Sequence, residues 1–79
     1  MPYYAKGDRV RFTGGVVAEL IGIGGIVAKR RIVDGHYVYD VKLSIEPKLA
    51  GLGISGLKIT LHGTFYIDVP SDWIELDDE

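Results

Sequence analysis

Hydrophobic and polar residues alternate along several short stretches of the chain, which is the pattern of half-buried β-strands. In the stretch DRVRFT, Val10 and Phe12 fall on one face and the arginines beside them on the other. A pair of glycines ends this predicted strand. The following run, VVAELIGI at 16–23, is apolar but short, so it fits a buried strand or one turn of helix equally well, and its glycine excludes a long helix. We favour an extended loop or a short strand there.

The stretch GGIVAKRRIVDGHYVYDVKLS predicts a hairpin. Two β-rich runs meet at Asp34-Gly35, a dipeptide that accepts the positive φ angles of a tight turn. The second arm alternates cleanly, and one of its faces carries Tyr37, Tyr39, Val41 and Leu43. The first arm does not, because it contains three consecutive basic residues, which cannot all face water. We therefore expect a bulge, an ion pair or the edge of a binding surface at Arg30.

The second half of the chain starts with an apolar, glycine-rich insert near 45–57, which Pro47 and the glycines keep from forming a regular helix. The next stretch, LKITLHGTFYIDV, predicts a second hairpin with its turn at His62-Gly63 and with Phe65, Ile67 and Val69 on one face. The stretch VPSDWIEL predicts a tight or 3₁₀ turn and a short last strand.

The length of 79 residues permits one domain, assigned to 1–76, with an acidic tail at 77–79. The hydrophobic fraction of 47% is high for a domain this small. We therefore expect apolar side chains outside the monomer core to be covered by a second copy or a larger assembly. The residues predicted to form this apolar patch are Leu49, Leu52, Ile54 and Leu57.

Charge is unevenly distributed along the chain. Residues 1–44 hold seven Lys and Arg against four Asp and Glu, while residues 45–79 hold two against seven. The basic half suggests a possible nucleic-acid contact, although the net charge of −2 does not favour a polyanionic partner. The candidate residues for this nucleic-acid contact are Arg9, Arg11, Lys29, Arg30 and Arg31.

The residues lack the motifs of several common binding and catalytic sites. Gly22, Gly24 and Gly25 lack the third glycine and following helix of a dinucleotide-binding loop, so we interpret them as a bend in the sheet. The chain has no cysteine, and its two histidines lie at predicted turns. Asp40, Asp68 and Asp72 fall on outward positions, where solvation is the simplest interpretation. We expect no catalytic residue, metal or cofactor.

The chain starts at Met1 without a basic-then-apolar leader and has no apolar run long enough for a membrane span. These features favour a cytoplasmic protein without a membrane partner.

The order of these parts resembles an SH3-like small barrel, as in KOW-type proteins and bacterial accessory subunits. KGDRVRF at 6–12 resembles its first strand, and VPSDWIEL at 69–76 resembles its 3₁₀ turn and closing strand. The resemblance implies an all-β fold of five or six mostly antiparallel strands. In eukaryotic SH3 domains aromatic grooves bind proline-rich peptides. A single tryptophan beside a closing strand, as Trp73 is, more often fills the core.

These observations predict a non-catalytic protein-interaction or assembly module that self-associates. The first alternative is a KOW-like barrel that binds nucleic acid through the basic residues. The second is an oligomeric enzyme with a site at a symmetry axis, because such a site leaves no motif in a single chain.

Overall fold

The computed structural model describes residues 3–16, 18–44 and 56–77. Six strands and two 3₁₀ turns form within these ranges. The strands are β1 (Arg9–Phe12), β2 (Gly24–Val33), β3 (His36–Leu43), β4 (Leu57–Thr60), β5 (Gly63–Pro70) and β6 (Ile74–Leu76), and the 3₁₀ turns are Ala18–Leu20 and Ser71–Trp73.

The strands form one antiparallel sheet in the order β4-β5-β3-β2-β1-β6. The predicted all-β class is confirmed. The sheet is not closed, since β4 and β6 stand at its two edges. The first strand lies between β2 and the last strand, so the two ends of the described chain meet in the sheet.

The central hairpin forms where the sequence predicts it. Val33 pairs with His36, which leaves a two-residue turn, and both turn residues have positive φ angles, 52° at Asp34 and 79° at Gly35. Asp-Gly is a preferred dipeptide for such a turn because glycine adopts this conformation without strain.

The expected irregularity near the basic run is a β-bulge at Ala28. Val27 pairs with Val41 and Lys29 pairs with Asp40, so Ala28 is the extra residue of β2. The bulge shifts the alternation by one position. Arg30 is consequently opposite the buried Tyr39, whereas its neighbours Lys29 and Arg31 lie on the other face of the sheet.

A second bulge, in β5, corrects the predicted alternation of that strand. Tyr39 pairs with Val69 and Val41 pairs with Tyr66, so Asp40 is opposite two residues. Thr64, Tyr66 and Val69 are therefore the buried positions, instead of the predicted run of Phe65, Ile67 and Val69.

Two further local predictions were wrong. Thr60 pairs with Gly63, so the turn of the second hairpin is Leu61-His62 and Gly63 begins β5. The run at 16–23 contains a 3₁₀ turn, Ala18–Leu20, instead of a strand or a fully extended loop. Leu20 is completely buried, and its apolar side chain anchors this turn to the core.

The core lies on one face of the sheet. Val10, Phe12, Val27, Tyr39 and Val41 are at most 1% exposed and come from β1, β2 and β3. Tyr66 connects β1 with the second 3₁₀ turn, because its ring contacts Phe12 and Trp73 at centroid distances of 5.6 and 6.2 Å. Trp73 thus packs against the core.

Candidate functional site

Tyr4 fixes the N-terminal segment against the sheet. Its backbone N–H donates a hydrogen bond to the Tyr39 hydroxyl at 3.0 Å, and its own hydroxyl donates to the Ile74 carbonyl at 3.1 Å. The two tyrosine rings meet edge to face, with centroids 5.4 Å apart. Burial, followed by the neighbouring Tyr39 and Glu75, raises the pKa of Tyr4 above its ordinary value. The neutral phenol is therefore the form that the fold stabilises.

This anchoring places Tyr3 near the tip of the central hairpin. The Tyr3 ring stacks on Tyr37, with centroids 5.3 Å apart and an interplanar angle of 27°. The guanidinium carbon of Arg30 lies 5.2 Å from the Tyr3 centroid and 4.9 Å from the Tyr37 centroid, within the range of cation–π attraction. Arg30 also donates a weak hydrogen bond, 3.4 Å long, to the Tyr4 carbonyl. It thus holds the N-terminal segment and the hairpin together.

Next to this aromatic pair is a groove of about 750 Å³ between the hairpin tip and the second 3₁₀ turn. Three stretches of the chain line it, namely Tyr3, the hairpin residues Val33, Asp34, Gly35, His36, Tyr37, Val38 and Tyr39, and the turn residues Pro70, Ser71 and Asp72. The volume is within the range of sites that bind small molecules or short peptide segments.

The groove combines apolar surface with negative charge. Tyr3 and Tyr37 remain 61% and 37% exposed, so their rings are accessible to a ligand. Asp34 and Asp72 are exposed and form no ion pair with another residue of the described chain. Such a surface favours a ligand that is partly apolar and carries positive charge.

The five basic residues predicted to contact nucleic acid do not all lie on one face of the sheet. Arg9 and Arg11 alternate with buried residues of β1 and lie on the outer face, where Arg11 forms an ion pair with Glu75. Lys29 and Arg31 are also on the outer face, whereas Arg30 is on the opposite face with the tyrosines.

Arg31 forms the ion pair that the sequence suggested for its neighbour Arg30. Its Nη2 atom donates to Asp40 Oδ1 at 2.6 Å and also to the carboxylate of Asp68. Asp68 has a positive φ of 58° in the β5 bulge, and Asp40 also accepts its backbone N–H at 3.4 Å. The hydrogen bond with Asp40, above all, raises the pKa of Arg31. Asp40 and Asp68 therefore stabilise the bulge, and Asp72 lies separately at the groove.

Of the predicted apolar patch, only Leu57 lies within the described residues. It is half-buried and packs against the core. Leu49, Leu52 and Ile54 lie outside the described residues. Among the described residues, β4 and its turn expose other apolar side chains, with Ile59 at 73% and Leu61 at 101% exposure.

Of the three glycines of the predicted bend, Gly22 is exposed in a turn and has a positive φ of 87°. Gly24 and Gly25 are the first residues of β2, where Gly25 pairs with Val10 on one side and with Leu43 on the other. Gly25 is buried, and a Cβ there would lie 2.5 Å from the Lys42 carbonyl oxygen. Glycine at position 25 thus permits a close approach of the β2 and β3 backbones that a side chain would block.

No three His, Asp or Glu side chains of the described chain come together as a metal site would require. His36 is at the groove and His62 is in the β4–β5 turn. Within the described ranges, no helix has the length and apolar composition needed to cross a membrane.

Comparison of the chain with protein-family models, with curated proteins and with solved structures finds no match. The groove must therefore be interpreted from its own residues.

Sequence reasoning missed the groove because its residues come from three separate stretches. Tyr37 was placed on the core face, which is correct, but the hairpin extends beyond the core and leaves this ring exposed. The available signal was the Tyr3-Tyr4 pair, in which one ring is buried and its neighbour must therefore point elsewhere.

Proposed function

We propose that this protein is a non-catalytic protein-interaction module whose groove binds an extended segment of another protein. The observation that carries the proposal is the groove itself, where accessible tyrosine rings and Pro70 lie beside two carboxylates that form no ion pair with any described residue. Aromatic-lined grooves are a recurring means of binding extended, proline-containing segments, which pay little conformational entropy on binding.

We further propose that the fold belongs to the SH3-like class. Two features support this assignment. The first strand lies between the second and the last, and a 3₁₀ turn directly precedes the last strand. Both features match the order of elements in an SH3-like barrel, whose first and closing strands KGDRVRF and VPSDWIEL resemble in sequence. The hairpin arm β4 is an additional strand at one edge of the sheet.

The charge of the groove specifies the ligand further. Asp34 and Asp72 both line it, one from the hairpin turn and one from the 3₁₀ turn. A ligand segment with proline or aliphatic residues would cover the tyrosine rings, and one Arg or Lys in it would pair with a carboxylate. We therefore propose a proline-containing segment with at least one basic residue as the ligand.

A titration followed by amide NMR shifts tests the proposal. The ligand is a short synthetic peptide of alternating proline and leucine with one arginine, added to the full chain. We expect the largest shifts at the hairpin tip and at Ser71–Trp73, because these elements line the groove. Replacing the peptide arginine with glutamate should weaken binding, since it would face Asp34 and Asp72.

Tyr37→Ala and Ile32→Ala are matched variants for this titration. Both residues are exposed and pair with each other across the hairpin, but only Tyr37 lines the groove. Loss of a central tyrosine typically costs about 2 kcal/mol of binding free energy, so Tyr37→Ala should weaken binding roughly 30-fold. Shifts that map away from the groove, or equal losses in the two variants, would refute the proposal.

Self-association is the second part of the proposed function. Among the described residues, the edge strand β4 pairs on one side only, with β5, and Ile59 of this strand and Leu61 of the following turn are exposed. An exposed apolar edge strand is a natural site for pairing with another copy of the same strand. In this arrangement the groove, which lies at the hairpin tip, would stay open for its ligand.

A further inference from the structure

The outer face of the sheet, opposite the core, carries a row of residues in register across five strands. Lys58 of β4 pairs with Phe65 of β5, and Phe65 pairs with Lys42 of β3. Lys42 pairs with Ile26 of β2, which in turn pairs with Arg9 of β1. Directly paired residues of neighbouring strands point to the same face. Basic and apolar side chains therefore alternate along one line, which we call the basic row.

The cations of the basic row are available for a ligand. Arg9, Lys42 and Lys58 are exposed, and none of them forms an ion pair with another described residue. Adjacent strands are about 4.8 Å apart, so successive cations of the row, two strands apart, are separated by about 10 Å at their backbones.

The side chain of Lys42 lies flat on the sheet at the centre of the row. A Cβ at Gly63 would be only 2.8 Å from Lys42 Cε, so the aliphatic stem rests on the glycine backbone. Phe65 next to it is partly exposed, and Ile26 on its other side is 47% exposed. The centre of the row is thus a shallow apolar surface with a cation at its middle.

The acidic side chains near this surface are largely engaged by other groups. Glu75 pairs with Arg11, and Asp40 and Asp68 both pair with Arg31. Asp77 lies at the Arg9 end of the row, where its backbone N–H donates to the Arg9 carbonyl at 2.9 Å. The positive potential of the row is therefore centred on Lys42 and Lys58, next to Phe65.

From this arrangement we infer that the basic row binds single-stranded nucleic acid. The repeated phosphates of a single-stranded nucleic acid match a line of cations. Its unpaired bases supply planar rings that stack on an aromatic side chain such as Phe65. An acidic peptide would satisfy the cations but would leave Phe65 and Ile26 without a matching partner. The row is on the face opposite the groove tyrosines, so this activity is independent of the proposed peptide binding.

The test is fluorescence anisotropy of a labelled oligothymidylate of about 12 nucleotides, a length within the site sizes of single small barrels. Binding by the full chain is measured over a range of salt concentrations. Three phosphate contacts predict a slope of log K against log salt of about −2, since each single-stranded contact contributes roughly 0.7.

Three variants separate the contributions. Lys42→Gln should weaken binding and reduce the magnitude of the salt slope by about 0.7. Phe65→Leu should weaken binding roughly tenfold and leave the slope unchanged, because stacking involves no counterion release. Lys6→Gln, which removes an exposed cation outside the row, is the control and should bind like the original chain. Circular dichroism confirms that each variant is folded.

Absence of binding at low salt would overturn the inference. Equal weakening by Lys42→Gln and Lys6→Gln would also overturn it, since binding would then reflect overall charge. If polyglutamate displaces the oligonucleotide at equal charge concentration, and Phe65→Leu has no effect, the row is a surface for acidic proteins and the inference is wrong.

Discussion

At the scale of single residues, Tyr4 links the N-terminal segment to both the centre and the end of the sheet. Its ordinary pKa of 10.0 is raised, chiefly by burial. Below pH 10 the Tyr4 hydroxyl keeps its proton in both the folded and the unfolded states. The full contribution of Tyr4 to the free energy of unfolding is therefore present there. As the pH rises from 10 through the raised pKa, the unfolded chain loses its proton first, so the free energy of unfolding falls.

Tyr4→Phe tests this linkage. It removes the hydroxyl that donates to the Ile74 carbonyl, so we expect a loss of about 1 kcal/mol in unfolding free energy at neutral pH. The alkaline decrease in stability should become shallower, because phenylalanine does not titrate. Urea unfolding at neutral pH and above pH 10 measures both effects, with Tyr3→Phe, an exposed neighbour, as the control. An unchanged alkaline decrease in Tyr4→Phe would contradict the assignment.

Gly25 and Gly24 are adjacent in β2 but differ in the space around them. A Cβ at Gly25 would lie 2.5 Å from the Lys42 carbonyl oxygen and 2.6 Å from Val41 Cγ1, and backbone cannot easily move away. Gly25→Ala should therefore destabilise the fold by about 2 kcal/mol or more. At Gly24 the nearest atom is 3.5 Å away, so Gly24→Ala should be neutral or slightly stabilising.

Urea unfolding followed by the fluorescence of Trp73, the sole tryptophan of the chain, compares the two variants. The half-buried ring packs against the core, so its emission reports on the folded state. Similar stability changes in Gly24→Ala and Gly25→Ala would show that close approach of β2 and β3 is not what requires glycine at position 25.

At the scale of elements, strand positions followed from the sequence much better than their faces did. The Asp34-Gly35 turn and the alternation of β3 were predictable because the turn chemistry and the period of two are local properties. The faces of β2 and β5 depend on bulges, which are set by the pairing partner. The β5 bulge is held by Arg31, which is distant in sequence from Asp68, so local alternation contains no sign of it.

The groove was not predictable for a related reason. Its walls come from the N-terminal segment, the hairpin tip and the second 3₁₀ turn. The pairing of Val38 with Pro70 and the packing of Tyr4 on Tyr39 bring them together. The role of Arg30 follows from the same packing. Without Tyr3 in place it is a misfit on a core face, and with Tyr3 it is the cation that covers two rings.

At the scale of the whole molecule, the two proposed binding surfaces carry charges of opposite sign. The carboxylates of Asp34 and Asp72 are at the hairpin end, beside the groove. The cations of the basic row cross the outer face on different strands. A chain with a net charge of −2 can therefore still carry a line of cations on one face.

The edge strand β4 is the third proposed surface, and self-association through it predicts the oligomeric state. Ile59 is 73% exposed on this strand, so we expect a concentration-dependent dimer in sedimentation velocity. Ile59→Lys should shift the chain to monomer, because a charge at the centre of the pairing strand cannot be desolvated cheaply. Ile21→Lys, at an exposed apolar position outside β4, is the matched control and should leave the dimer intact. A monomer at every concentration, or equal loss of the dimer in both variants, would show that the β4 edge does not mediate self-association.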